Sequence, residues 1–426
     1  MNLRMYNKST KFVKCAKLGV LSDTNLQHIA ILDCVGNAKF TDNIKVGIAG
    51  NNGIVSYFNI PNFDYFAKTD PTATRYTDSV QSVTAKMTQS IIKTNLIDCV
   101  VAVVDCEVPA FGILMGCIKA NCPVLFAPVG FNNFDRNILS LAGRVSSRMI
   151  KTDEAEQFVN NYSVQPGYPN DSIAASFFSF SENLGLALPD THNLPYNSAV
   201  SFAKAKEIGA SAVNIATTIT TPKKLLSNKK VITETINSAV TRNINVCGII
   251  KYKKIFEMLD IKLPHDFLIS NDNKNIVLVR GSASSNGGYV QLTGDTPLSF
   301  QGVAWVYESL ESADNALQSN AIDTGVIVIQ SCVGEDISII ARTILAMGKQ
   351  KNIAIVTDGY CEITPVLTVT NVSPNGYVNG ELANIQNGDI IEIDTARGRL
   401  NTSVSAKDMK IRSKRKIVRQ QELYFE

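Results

Sequence analysis

Two short runs in this chain carry residue types suited to proton transfer or metal binding. In the first, Cys106 and Glu107 follow an apolar stretch, residues 100–104, and open an apolar segment that predicts a helix. A thiol beside a carboxylate at a strand end can supply a proton donor, a nucleophile or an oxygen ligand for a metal ion. In the second, Thr357-Asp358-Gly359-Tyr360-Cys361-Glu362 follows the apolar residues 353–356 and places a phenol, a thiol and a carboxylate in succession. Glu362 there becomes a general base when burial lifts its pKa toward neutrality, and Cys361 with Glu362 forms a candidate thiol/acid pair. Each group also has a plainer use. Cys106 can be a core thiol, Glu107 can favour the start of a helix through its charge, and Asp358-Gly359 can simply close a turn.

The elements that must position these groups follow from the pattern of apolar residues. Up to about residue 260, apolar strands alternate with helical periodicity. Residues 45–50 predict a strand ending in a loop at 51–53, residues 79–95 a helix, and 100–104 and 124–127 continuous apolar strands of the kind covered on both faces. Further helices are expected over 174–184 and within 228–259. This alternation predicts an α/β domain with a mainly parallel sheet. After residues 263–275 the texture changes to short strands (276–280, 325–329, 353–356, 388–393) with glycine-rich turns, a β-rich second domain with a few helices. The Asn-Gly pairs at 52–53, 286–287 and 387–388 predict turns. The expected division is 1–272, 273–406 and a basic tail, 407–426.

Composition narrows the function classes. With 426 residues, 45% hydrophobic, the chain can bury more than one core. Only 19% of residues are charged and the net charge is +3, which argues against a nucleic-acid partner. The basic cluster Lys407, Lys410, Arg412, Lys414, Arg415, Lys416 and Arg419 is expected to be a solvated terminal helix. No apolar stretch is long enough to span a membrane, no secretory leader is expected, and none of the nine cysteines falls in a Cys-x-x-Cys pair. A reducing, cytoplasmic setting is the expectation. The histidines at 28, 192 and 265 lie in unrelated contexts and form no expected triad or metal cluster.

Several segments, in order along the chain, carry a resemblance. Asp105-Cys106-Glu107 with Pro109 and Gly112-Ile113-Leu114-Met115, followed by Asn121-Cys122-Pro123-Val124-Leu125-Phe126, is similar to a Cys-Asp-Lys turn, its helix and an Asn-x-Pro-Val-x-Phe strand. Asn183-Leu184-Gly185-Leu186-Ala187-Leu188-Pro189, Ser285-Asn286-Gly287-Gly288-Tyr289-Val290, Val356-Thr357-Asp358-Gly359, Asn371-Val372-Ser373-Pro374 and Gln386-Asn387-Gly388-Asp389-Ile390-Ile391-Glu392-Ile393-Asp394 match further signatures. Together they resemble the dihydroxy-acid/6-phosphogluconate dehydratase family. The resemblance implies an α/β domain followed by a β-barrel-like domain, a homodimer, and an active site in the cleft between domains. It also implies removal of water from a 2,3-dihydroxy acid by an iron–sulfur cluster on three cysteines, a magnesium ion and a serine base.

Position by position, this chain departs from that chemistry. Only Cys106 matches a cluster cysteine; the third position falls near Tyr168 and the first near residues 15–22, with Cys15 close by. The magnesium-binding aspartate is Glu107, the carbamate-forming lysine is Val108, and the family's Asp-Gly-Ile is matched to Asn52-Gly53-Ile54. Glu335 or Asp336 is a candidate for the distal metal-binding glutamate, and Glu362 stands at the serine base. The Ser-Arg-Glu before a helix is matched near Val80-Gln81-Ser82, and the Gly-Gly-Ser-Thr loop is replaced around Arg242.

The expectation is a cluster-independent lyase or isomerase acting on a small hydroxy acid or sugar acid. Its candidate catalytic residues are Cys106, Glu362, Tyr360 and Cys361, with Asn52, Gly53, Asp358 and Arg242 as candidate ligand-binding residues, Arg242 for a carboxylate or phosphate. No iron–sulfur cluster is expected, and a magnesium ion weakly held by Glu107 is the one metal left open. The alternative is a non-catalytic binding or assembly subunit, alone or paired with a related subunit.

Overall fold

The computed structural model describes residues 26–62, 70–132, 141–161, 167–169, 172–218, 220–242, 244–264, 266–270, 273–376 and 380–415. The described residues open with β1 (Gln27–Asp33), α1 (Ala38–Ala49), β2 (Gly53–Asn59), α2 (Thr77–Asn95), β3 (Cys99–Val104), α3 (Glu107–Ala120) and β4 (Val124–Pro128). These strands make a parallel sheet in the order β2-β1-β3-β4. Every residue of β3 is buried, as the uninterrupted apolar run requires of a strand covered on both faces.

The helices that follow are α4 (Leu141–Ser146), α5 (Thr152–Asn161), α6 (Ile173–Asn183), α7 (Ala199–Thr218), α8 (Pro222–Leu225), α9 (Lys229–Thr241) and α10 (Val246–Met258). One face of the sheet packs on α1 and α7 through Ile29, Ile31, Ile44, Ile48, Ala205 and Ile208. The other face shares a core with α3, α6 and α10 that includes Val104, Phe111, Phe177 and Tyr252.

The second domain comprises β5 (Ile276–Gly281), β6 (Ser284–Gln291), β7 (Ser299–Tyr307), α11 (Leu310–Gln318), β8 (Gly325–Ile329), α12 (Ser338–Ala346), β9 (Ile353–Thr357), β10 (Thr368–Ser373), β11 (Ile390–Asp394), β12 (Arg399–Thr402) and α13 (Ala406–Arg415). Its strands close a barrel in the order β10-β6-β5-β12-β11-β7-β8-β9. Closure leaves no unpaired sheet edge, and Val279, Val328, Val356, Val369, Ile391 and Leu400 fill the interior. The parallel α/β domain is the one expected from the alternation, the β-rich second domain from the glycine-rich texture, and its closure into a barrel from the resemblance.

Three local expectations are corrected. Residues 45–50 are the end of α1 rather than a strand. Asn37 caps that helix by accepting from the Phe40 amide, and Phe40, Ile44 and Ile48 recur at helical spacing on its buried face. Asn286-Gly287 lies inside β6 rather than in a turn; Gly287, at φ +97°, allows the irregular backbone there, where a Cβ would meet the Val279 carbonyl at 2.8 Å. The helix α13 is docked rather than wholly solvated: Met409 is buried, and Arg412 donates to Asp389 through both terminal nitrogens (2.5 and 3.1 Å). Residues 416–426 of that basic tail lie outside the described residues.

The helix that carries Cys106 and Glu107 at its start is seated by two glycines. A Cβ at Gly112 would stand 2.7 Å from the Gln81 carbonyl, and one at Gly116 would stand 2.6 Å from the Ala85 carbonyl. Both carbonyls belong to α2, so α3 lies against its neighbour at backbone distance and the turn at its N-terminus is fixed.

Candidate functional site

Cys106 is the N-cap of α3, in extended conformation, and Glu107 is the helix's first residue. A carboxylate there faces the positive end of the helix dipole. Both side chains are fully buried at the carboxyl edge of the sheet, and the Cys106 thiol donates toward Glu107 Oε2 at 3.7 Å. A lysine that the sequence reading did not single out completes the group. Lys251, on α10, places its Nζ 3.8 Å from Glu107 Oε1 and donates a 2.6 Å hydrogen bond to the Tyr360 hydroxyl. The three side chains come from α3, from α10 and from the loop after β9, so the network joins the sheet domain to the barrel.

Tyr360 is held by its backbone, which donates to the Glu335 carbonyl and accepts from the Ile337 amide (3.0 and 2.8 Å). Burial, reinforced by the carboxylates of Glu107 and Asp336, raises its phenol well above the ordinary range. The phenol is therefore protonated at neutral pH.

Lys251 and Tyr360 lie on the wall of a cavity of about 420 Å³ between the domains, whose lining also includes Asp78, Lys254, Asn286 and Asp358. Asp358 accepts from the backbone amides of Ser331, Cys332 and Gly376 (3.2, 2.8 and 2.8 Å). It thus fastens two loops while forming part of that wall, and burial raises its pKa. Behind the wall, burial pushes Glu335 up to about 7, with Arg75 opposing the rise and Asp358 and Asp78 adding to it. Arg75 sits just ahead of α2, in the short turn Ala73–Tyr76, and pairs with Glu311 of the barrel at 2.8 Å. The segment matched to Ser-Arg-Glu, residues 80–82, instead lies inside α2.

The other candidates fall elsewhere. Glu362 is clasped by Arg342 and, with Cys361 and Cys247, lines a separate pocket of about 20 Å³. Burial, then the Asp336 charge, raises the Cys361 thiol well above its ordinary range. Asn52-Gly53 turns from α1 into β2, with Gly53 level with Gln27 at the amino edge of the sheet. Six strand residues, about 20 Å, separate that edge from the carboxyl edge where Cys106 lies. Arg242 caps the end of α9 and donates back to the Ser238 carbonyl and hydroxyl (3.3 and 3.1 Å). Cys15 and His265 lie outside the described residues.

Among the described residues, the third position that the resemblance implies for a cluster thiolate holds a phenol, and the first position lies outside them. Tyr168, at the third position, is fully buried within the field of Asp105, and its hydroxyl donates to the His192 carbonyl at 3.1 Å. The described residues do not fit the implied magnesium site. Val108 is fully buried against Val80, Glu107 faces an ammonium, and Asn52 lies at the far edge. Among the described residues no three His, Cys, Asp or Glu side chains converge on a point that a metal ion could share, and no helix is long and apolar enough to cross a membrane.

Comparisons with known proteins bear on both domains. Residues 29–248 match the family model described as dihydroxy-acid/6-phosphogluconate dehydratase N-terminal, and residues 269–425 match the corresponding C-terminal model. The chain is similar to a dihydroxy-acid dehydratase of Picrophilus torridus, 25% identical over 236 residues, which covers 53% of this chain and 40% of that protein. It is 30% identical over 165 residues to a dihydroxy-acid dehydratase of Sulfolobus acidocaldarius (35% and 29% covered), and 30% identical over 168 residues to one of Saccharolobus solfataricus (36% and 30% covered). The matched stretch spans less than half the length of each of these relatives. With its two domains matched in order by the two family models, the chain belongs to the dihydroxy-acid/6-phosphogluconate dehydratase family.

Proposed function

We propose that the interdomain cavity binds a small hydroxy acid or sugar acid and that the chain acts on it as a lyase or isomerase without an iron–sulfur cluster. The observation supporting this reading is the Lys251–Tyr360 pair, 2.6 Å apart on the wall of a cavity of about 420 Å³. An ammonium at such a wall attracts a ligand carboxylate, and partial exclusion of water strengthens the attraction. Tyr360, protonated and accepting from Lys251, is the donor to a departing hydroxyl. For a 2,3-dihydroxy acid, loss of the Cα proton and the C3 hydroxyl as water leaves an enol that becomes the 2-oxo acid. Glu362, clasped by Arg342 at a separate pocket, serves in this reading to hold the loop after β9 rather than to abstract a proton.

A second reading, a non-catalytic binding or assembly subunit, draws support from the complete burial of Cys106 and Glu107. One experiment separates the two. Chelator-treated protein is incubated with a panel of 2,3-dihydroxy acids and sugar acids, with 2-oxo acid formation followed by proton NMR. The enzyme reading expects turnover that survives chelation and falls at least roughly tenfold in Tyr360→Phe. Saturable binding without turnover selects the second reading. Turnover that tracks added iron contradicts both.

A further inference from the structure

We infer that the Lys251 ammonium is a built-in replacement for the divalent cation that the dehydratase resemblance places against Glu107. The inference concerns charge at one buried carboxylate, and it holds whether the cavity turns a ligand over or only binds it.

Glu107 is fully buried, and a carboxylate removed from water requires an opposite charge or several donors to offset its lost hydration. Among the described residues, no set of three His, Cys, Asp or Glu side chains is assembled around it to make a metal the partner. Val108 contributes only a hydrocarbon surface, packed on Val80, and Asn52 lies at the opposite edge of the sheet. What reaches Glu107 instead is a cation of the chain itself: Lys251 Nζ, 3.8 Å from Oε1, on a side chain 7% exposed. The Tyr360 hydroxyl, 2.6 Å away, fixes where that ammonium sits, and the phenol ring lies 4.1 Å from Nζ at its centroid, adding a cation–π attraction.

Two consequences follow. A divalent ion entering beside Glu107 would meet a positive charge a few ångströms away in a largely buried site, where like charges repel more strongly than in water; the site is thus set against metal as well as supplied without it. And the ammonium reaches the cavity wall, so the same charge that neutralises Glu107 is presented to a bound ligand's carboxylate, as a bridging metal ion would be.

The test uses Mn²⁺ as the divalent probe, with thermal unfolding and the electron paramagnetic resonance signal of the free ion as readouts. Wild type, Glu107→Gln, Lys251→Ala and Lys251→Ala/Glu107→Gln are compared. The expected result is that wild type neither binds Mn²⁺ nor shifts its melting temperature with it. Lys251→Ala melts several degrees lower and, at high Mn²⁺, regains part of the loss through weak uptake on Glu107 and retained waters. The double variant recovers stability without the ion and takes up none. Mn²⁺ binding by wild type that disappears in Glu107→Gln overturns the inference, as does a Lys251→Ala protein indifferent to Mn²⁺. Where Lys251→Ala does not fold, the double variant decides. Its folding supports an unpaired carboxylate as the defect; its failure overturns the charge argument, because the defect is then lost packing.

Discussion

Lys251 Nζ stands 2.6 Å from the hydroxyl of Tyr360, a residue 109 positions further along the chain. The bond ties α10 to the loop after β9 and closes the join between the sheet domain and the barrel directly above Glu107. A single interaction thus couples the docking of the domains to the arrangement of the cavity wall.

Removing the phenol oxygen tests that coupling. Tyr360→Phe keeps the ring beneath Lys251 but leaves a nearly buried ammonium short of an acceptor, so stability is expected to fall by about 1–2 kcal/mol. Urea unfolding monitored by circular dichroism measures this through a lower midpoint at unchanged slope. A variant as stable as wild type would mean that the hydrogen bond contributes nothing to holding the domains together.

The seating of α3 gives a prediction of opposite sign to helix propensity. Alanine is the better helix former by about 1 kcal/mol, yet Gly116→Ala would set a methyl 2.6 Å from the Ala85 carbonyl and from Thr88 Cβ. The clash is expected to win, with a net loss of about 1–3 kcal/mol in the same urea assay. A stabilised variant would show that α2 and α3 do not meet at backbone distance.

Glu362 divides two accounts of the loop after β9. With Arg342 13% and Glu362 9% exposed at their side chains, Arg342→Met strands a largely buried carboxylate and is expected to cost about 3 kcal/mol, much of it recovered by Arg342→Met/Glu362→Leu. Thermal unfolding of the two variants checks this. Should Glu362→Gln abolish turnover while leaving the melting temperature in place, Glu362 would be the base after all.

The acidic wall predicts a pH dependence. Burial raises Glu335 to about 7 from an unfolded value of 4.5, so between those values the folded chain holds more of its proton than the unfolded chain does. Its contribution to stability is complete below about pH 4.5 and is lost as the pH rises through 7, on the order of 3 kcal/mol. Asp358, also raised, acts in the same direction. Glu335→Gln should flatten the decline between about pH 5 and 7.5 in chemical unfolding curves; an unchanged slope would exclude Glu335 as its source.

Much of the fold was legible because its signals are local. The run Cys99–Val104 is apolar at every position and became the central strand β3, and the thiol-carboxylate turn after it did begin a helix. The strand expected at residues 45–50 failed for want of context: Val46, Ile48 and the flanking glycines suit either element, and the deciding contacts come from α7, more than 150 residues later. Asn52-Gly53, matched to Asp-Gly-Ile, turns instead into β2 at the amino edge of the sheet. Lys251 was illegible for a related reason. Nothing in Ile249-Ile250-Lys251-Tyr252 distinguishes a buried counterion from a surface lysine, and its partners lie on two other elements. Arg75 was illegible likewise, since its partner Glu311 lies far along the chain in the second domain.

The account stands most directly on iron and acid-labile sulfide, determined together with the visible spectrum on protein purified without oxygen. A cluster-independent site predicts colourless protein with both elements far below one equivalent per chain. Stoichiometric iron and sulfide with a broad thiolate-to-iron absorption band would contradict it, and would require cluster ligands besides Cys106.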